Sequence, residues 1–169
     1  RFKDHIEIYH KSLQSFSIEV KKKYDLVIII GGLHHVPFHV DLVTKNINSV
    51  LTDNGYFINL EPTQNNFIQR AIRNRIYKSN NLFDEKTEKA FDLVPYNELM
   101  KCAGFKIIDQ LHVGLISHIL YYNPDAFPYL SIGGKFMVKL FFKLDSFFFR
   151  NYIGKKFSFA TLSLFQKSK

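Results

Sequence analysis

The sequence has no tryptophan, two methionines and one cysteine, Cys102, among 169 residues. A single thiol excludes an internal disulfide and suits a reducing, cytoplasmic compartment. No uncharged apolar run reaches the roughly 18 residues that a membrane span needs. Internal repeats and low-complexity tracts are also missing. Acidic residues are scarce, 15 against 23 Lys and Arg, which gives a formal net charge of +8. Such a balance suits an anionic membrane surface, an acidic substrate or a nucleic acid. No RNA- or DNA-binding signature accompanies it, so nucleic acid is not expected as a partner. What the chain does have is aromatic side chains, 18 Phe and 9 Tyr, within an ordinary hydrophobic content of 46%. At this length one domain, residues 1–169, with a real core is expected.

Tyr24-Asp-Leu-Val-Ile-Ile-Ile-Gly-Gly-Leu-His-His-Val36 carries the strongest local signal. Leu26–Ile30 is an unbroken aliphatic run that predicts a strand buried on both faces. Val43, Ile47, Val50 and Leu51 share one side of a helix predicted over 40–51. Asn54-Gly55 reads as a break and Tyr56–Leu60 as a second strand. Strand, glycine turn, helix, turn and strand make a βαβ unit, whose ligand would sit at the strands' carboxyl ends. Further elements are a short strand near residues 5–9 and a helix over 67–77 carrying Arg70, Arg73 and Arg75. A polar stretch over 79–89 follows. Pro95–Ala103 reads as a helix, with Pro95 in its first turn and Gly104 at its C-terminal cap. Phe105–Val113 is a strand. A final strand over 156–166 would place Phe157, Phe159 and Phe165 on one face.

The blocks YDLV…GGLHHV, VLTDNG and YFINLEP, followed by VPYNELMKCAGF and KIIDQL, resemble the class I S-adenosylmethionine-dependent methyltransferases. The match runs from that family's third strand to its last. It implies an α/β fold, an incomplete Rossmann-like sheet, mostly parallel with a reversed last strand and flanked by helices. It implies S-adenosylmethionine as cofactor and methyl transfer to a small or lipid-like acceptor. The family's glycine-rich loop and ribose-binding acid have no counterpart here, and the chain opens on Arg1. The simplest reading is the C-terminal portion of a longer enzyme, inactive alone. The strand at Leu26–Ile30 would then be an open apolar edge. A catalytically silent module that binds a partner protein or a membrane is the alternative.

The resemblance places the cofactor against Gly31, Gly32 and Leu33, and near Ser12 and Leu13. The glycines equally suit a plain tight turn, and Ser12 is not the acid the family uses there. His34 is expected on the substrate side. His35 is the candidate general base, histidine being suited to proton transfer near neutral pH; capping the next helix is the other reading. Glu61 orients an acceptor or base, or is a solvated turn carboxylate. No metal is expected, because Pro37 separates His34 and His35 from His39 and no carboxylate has matching spacing. The three arginines of 67–77 read as a solvated helix face.

An insertion at about 115–153 would form a lid. Its Tyr121, Tyr122, Phe127, Tyr129 and Phe136 either line an apolar acceptor pocket or pack on the sheet. On a helix over 135–150, Lys135, Lys139, Lys143, Ser146 and Arg150 form a narrow stripe beside a Phe-rich surface. That pattern suits peripheral contact with a membrane, or burial against the sheet with the stripe in water.

Overall fold

The computed structural model describes residues 7–16, 21–79, 88–118, 120 and 134–168. Its elements are β1 (Tyr24–Ile30), a 3₁₀ turn (Leu33–His35), α1 (Val40–Val50), β2 (Leu51–Pro62), α2 (Phe67–Ser79), α3 (Leu93–Cys102), β3 (Phe105–Val113), α4 (Lys135–Ser146), α5 (Tyr152–Phe157) and β4 (Ala160–Lys167). The strands form one sheet in the order β1-β2-β4-β3. β1 and β2 are parallel, and β4 is antiparallel to both β2 and β3. Three strands therefore run one way and the last is reversed, as expected.

The aromatic residues explain the core. Phe57 lies 5.7 Å from Phe105 and 5.8 Å from Phe165, ring centre to ring centre. Val43 and Ile47 close over this cluster from α1, Leu51 from the start of β2, and Tyr96 and Met100 from α3. Rings of this size bury large apolar areas and hold preferred tilted or offset geometries. α3 ends where Gly104 takes φ +84°, and Asn48 of α1 donates to its carbonyl at 2.9 Å.

Several expectations need correction. β1 is buried on one face, not two: Val27 and Ile29 pack on the core, while Leu26, Ile28 and Ile30 are 46–59% exposed. Among the described residues nothing pairs with its outer edge. Asn54-Gly55 is no break between elements but a kink within β2. Asn54 adopts φ +62°, and the β1–β2 register slips between Tyr24 and Leu26. Asparagine tolerates that left-handed conformation. Residues 7–9 have no regular structure.

Phe157 is exposed at the end of α5, and the final strand starts only at Ala160. The Asn151 side chain caps α5 by accepting from the Gly154 amide at 3.0 Å, which holds this segment helical. The helix over 135–150 stops at Ser146, and Arg150 leaves the stripe to bond Asp109 through both guanidinium nitrogens at 2.7 and 2.8 Å.

Candidate active site at the carboxyl ends of the parallel strands

β1 and β2 end side by side. Ile30 pairs with Leu60, and the Gly31 amide still donates to the Leu60 carbonyl at 2.8 Å. Gly31 then takes φ +61°, a conformation suited to glycine, and the chain turns back over the end of β2. This brings Glu61, only 2% exposed, beneath the turn. Its carboxylate accepts from the backbone amides of Gly32 at 3.1 Å, Leu33 at 2.8 Å and His34 at 3.3 Å. It also accepts from the Asn59 side chain at 2.9 Å and lies 2.7 Å from His34 Nδ1. Burial pushes this carboxyl upward, but the bonds from His34, Leu33 and Asn59 together outweigh it and hold the group below the usual carboxylate range.

Asn59 also donates to the Ile29 carbonyl and accepts from the Tyr96 hydroxyl at 2.6 Å. Burial, with the Glu61 charge behind it, raises the Tyr96 phenol well above its ordinary value, so Tyr96 remains a donor. The result is a buried polar chain, Tyr96–Asn59–Glu61–His34. An ionised Glu61 accepts from His34 Nδ1–H, so in the neutral form of this imidazole it is Nε2 that holds the free lone pair.

His35 stands differently. Its ring lies against that of His34, with centres 4.0 Å apart and planes tilted by 37°, is half exposed, and meets Glu88 at 3.4 Å through Nδ1. Glu88 is the carboxylate that sequence spacing did not supply. The donor atoms of His34, His35 and Glu88 lie within 4.8 Å of one another. Two nitrogens on a tetrahedral zinc stand roughly 3.4 Å apart. Two histidines and a carboxylate are donor types that zinc accepts, so the folded chain brings together a donor set that the sequence spacing did not offer.

The structure thus gathers Gly31, Gly32, Leu33, His34, His35 and Glu61. The Leu33 side chain is wholly buried in the core, so only its backbone faces the turn. Glu61 is not a solvated turn residue, and its oxygens are engaged by the turn rather than offered to an acceptor. Ser12 and Leu13 do not join the cluster. The Ser12 hydroxyl accepts from the Ser15 amide, and Asn46, about two turns into α1, holds the carbonyls of Leu13 and Gln14. Tyr121, Tyr122, Phe127 and Tyr129 lie outside the described residues. Phe136 is 76% exposed on α4.

Arg73 is not on a solvated face. It donates to the carbonyls of Thr63 and Phe159 at 3.2 and 2.9 Å and lies over the Phe159 ring. Asn59 and Tyr96 were missed from sequence. The available signal was an asparagine inside an otherwise apolar strand, a poor strand former that needs a partner when buried.

An apolar groove of about 550 Å³ lies on the other face of the sheet, lined by Leu60, Leu162, Val113, His118, Val138 and Phe142. His118 stacks flat on Phe159, with ring centres 5.4 Å apart. Burial, then the Arg73 charge, lowers its pKa to about 4. Its unfolded value is about 6.5. As pH falls between these values the unfolded chain takes up a proton that the folded chain refuses. Stability present above pH 6.5 is therefore lost toward pH 4, by up to about 3 kcal/mol. Urea unfolding across this window should show the loss, and His118→Gln should remove most of it; an unchanged slope in the variant would refute the assignment.

No protein-family model and no curated protein matches the sequence. Solved structures do match the fold. A candidate sarcosine dimethylglycine methyltransferase from Galdieria sulphuraria aligns with TM-score 0.62 and 16% identity over 98% of this chain and 61% of its own length. A SAM-dependent methyltransferase from Archaeoglobus fulgidus aligns with TM-score 0.57 and 11% identity, over 98% of this chain and 69% of that one. The N-methyltransferase NodS from Bradyrhizobium japonicum, in complex with S-adenosyl-L-homocysteine, aligns at 0.52 and 9%, over 98% and 56%. This chain has the α/β fold of the class I S-adenosylmethionine-dependent methyltransferases and spans about three-fifths of the Galdieria protein's length.

Proposed function

We propose that this chain carries the acceptor-side half of an S-adenosylmethionine-dependent methyltransferase, with His34 as general base and Glu61 as the residue that positions it. The observation behind this reading is the 2.7 Å contact between a buried, ionised Glu61 and His34 Nδ1. Gly31 and Gly32 suit the cofactor's methionine end, because their partly exposed backbone carries no side chain of its own. The cofactor, when bound, supplies an electrophilic methyl group on a sulfonium. The protein's part is alignment and proton removal. With the cofactor bound, the methyl group would pass from sulfur to the acceptor oxygen or nitrogen, the carbon–sulfur electron pair staying on sulfur, and His34 Nε2 would take the proton that the acceptor atom loses. Its ring edge, 16% exposed, can then pass that proton to water. His35 is assigned to packing against His34 rather than to the base role that the sequence suggested.

The test follows labelled methyl from S-adenosylmethionine into solvent-extractable and aqueous pools, using the natural protein in full. His34→Gln should cut turnover by about 100-fold or more, with cofactor affinity nearly unchanged. His35→Ala should lose far less. Wild-type turnover in His34→Gln would remove His34 from the chemistry. The chain of residues 1–169 alone should bind S-adenosylmethionine weakly in a calorimetric titration, for want of a glycine loop and a ribose-binding acid. Tight binding would show that the cofactor site was misplaced.

A further inference from the structure

The segment 134–157 departs from an ordinary protein surface. α4 is fixed by Asp145, which is fully buried and accepts from the amides of Ile116 and Ser117 at 3.0 and 2.9 Å and from the Ser117 hydroxyl at 2.5 Å. This anchor turns Met137, Phe141 and Asp145, four residues apart, toward the protein. Val138 and Phe142 flank the groove. At about 100° per residue, Phe136, Leu140, Leu144 and Phe147 then fall within roughly 80° of arc on the free side. Phe136 is 76% exposed and Phe147 70%, and Tyr152 of α5, at 71%, extends the apolar surface.

Lys135, Lys139 and Lys143 occupy the adjoining arc and are exposed, as are Lys155 and Lys156 on α5. The only acid between residues 134 and 157 is Asp145, and it is buried. Arg150 is already matched by Asp109. Lys156 lies over the rings of Tyr152 and Phe157, at 5.6 and 5.7 Å. Among the described residues no helix is long and apolar enough to cross a membrane.

We propose that α4 and the chain leading into α5 form a docking surface for an anionic lipid bilayer. Phe136, Leu140, Leu144 and Phe147 enter the acyl boundary, and the flanking lysines reach up to the headgroup phosphates. A water-exposed apolar surface of this kind calls for an occupant. The five exposed lysines with no exposed acid among them choose an anionic one, each worth on the order of a kcal/mol near such a surface. A protein partner of ordinary mixed charge would leave that row unmatched. This inference stands independently of the catalytic reading, because none of its residues belongs to the His34–Glu61 cluster.

Co-sedimentation of the chain with phosphatidylcholine vesicles, with and without phosphatidylserine, tests it. Binding should appear only with the anionic lipid and should fall as salt is raised from about 50 mM to about 500 mM, where the Debye length shrinks to a few ångströms. Lys139→Glu with Lys143→Glu should weaken it by on the order of 100-fold. Phe136→Ser with Phe147→Ser should also weaken it, while circular dichroism remains native because all four positions are exposed. Failure of a folded chain to bind either vesicle would overturn the proposal, as would binding indifferent to the lysine changes. Self-association abolished by the phenylalanine changes, without vesicle binding, would assign the face to a second copy instead.

Discussion

Glu61→Gln should cost this protein about 3 kcal/mol or more of stability and, on the proposed methyl-transfer reading, on the order of 100-fold to 10,000-fold in turnover. The carboxylate has five donors converging on it, three of them backbone amides of the turn. An amide in its place keeps one acceptor oxygen and turns an NH₂ group toward donors. At least one buried N–H is then left unpaired, and the ordered turn loses the anion that gathers it. The same change frees the His34 tautomer, so Nε2 no longer reliably holds the lone pair. Glu61→Asp keeps the charge on a shorter stem and should fall between the two.

Urea unfolding and methyl transfer read the two effects separately. The acid response gives a second handle. Glu61 lies below its ordinary value when folded, so its contribution is full above the unfolded pKa of about 4.3 and is lost as pH falls through the folded value. That window lies below the one assigned to His118, and Glu61→Gln should flatten only the lower. An unchanged unfolding midpoint in Glu61→Gln would show that the turn does not depend on this carboxylate.

Gly154→Ala should destabilise by more than about 3 kcal/mol, although alanine is the better helix former by about 1 kcal/mol. A Cβ built at Gly154 would stand 1.8 Å from the Phe148 carbonyl oxygen and 2.8 Å from its carbon. The obstacle is backbone, so no rotamer change relieves it, and α5 would have to move away. That motion disturbs the segment whose Phe149 carbonyl accepts from the His112 amide of β3 at 2.7 Å. Overpacking against fixed backbone outweighs propensity here. Gly134→Ala is the control, because nothing lies within 4 Å of its added carbon. Thermal unfolding of the pair should show a large drop for Gly154→Ala and almost none for Gly134→Ala. Equal midpoints would mean that the α4–α5 connection adapts more freely than its geometry indicates.

The elements legible in the sequence were those with a local period and local punctuation. β3 has the bounds its sequence implies, and β1 ends at Ile30 as its apolar run implies but begins earlier, at Tyr24. α1 shows its buried positions at helical spacing, and α3 lies between Asp92 and Gly104. The reversed last strand and the open edge at β1 followed from the resemblance carried by GGLHHV, NLEP and AGF. Phe157 was misread because alternating Phe residues fit a strand equally well, and the cap from Asn151 decides otherwise only once the chain is folded.

The residue cluster at the strand ends was legible as a place but not as a set of contacts. Gly31, Gly32, His34, His35 and Glu61 could be assigned to strand ends from local pattern alone. Adjacent histidines look alike in a sequence, and a carboxylate before Pro62 reads as a turn residue in water. Parallel pairing of β1 with β2, across some 30 residues of chain, lowers three amides onto Glu61 and sets one imidazole, not the other, against it. Glu88 reaches His35 across a still longer separation. Hydrophobic periodicity is written residue by residue along the chain. The partners of a buried polar group are chosen by whatever the tertiary fold brings within 3 Å of it, and no local pattern encodes that choice.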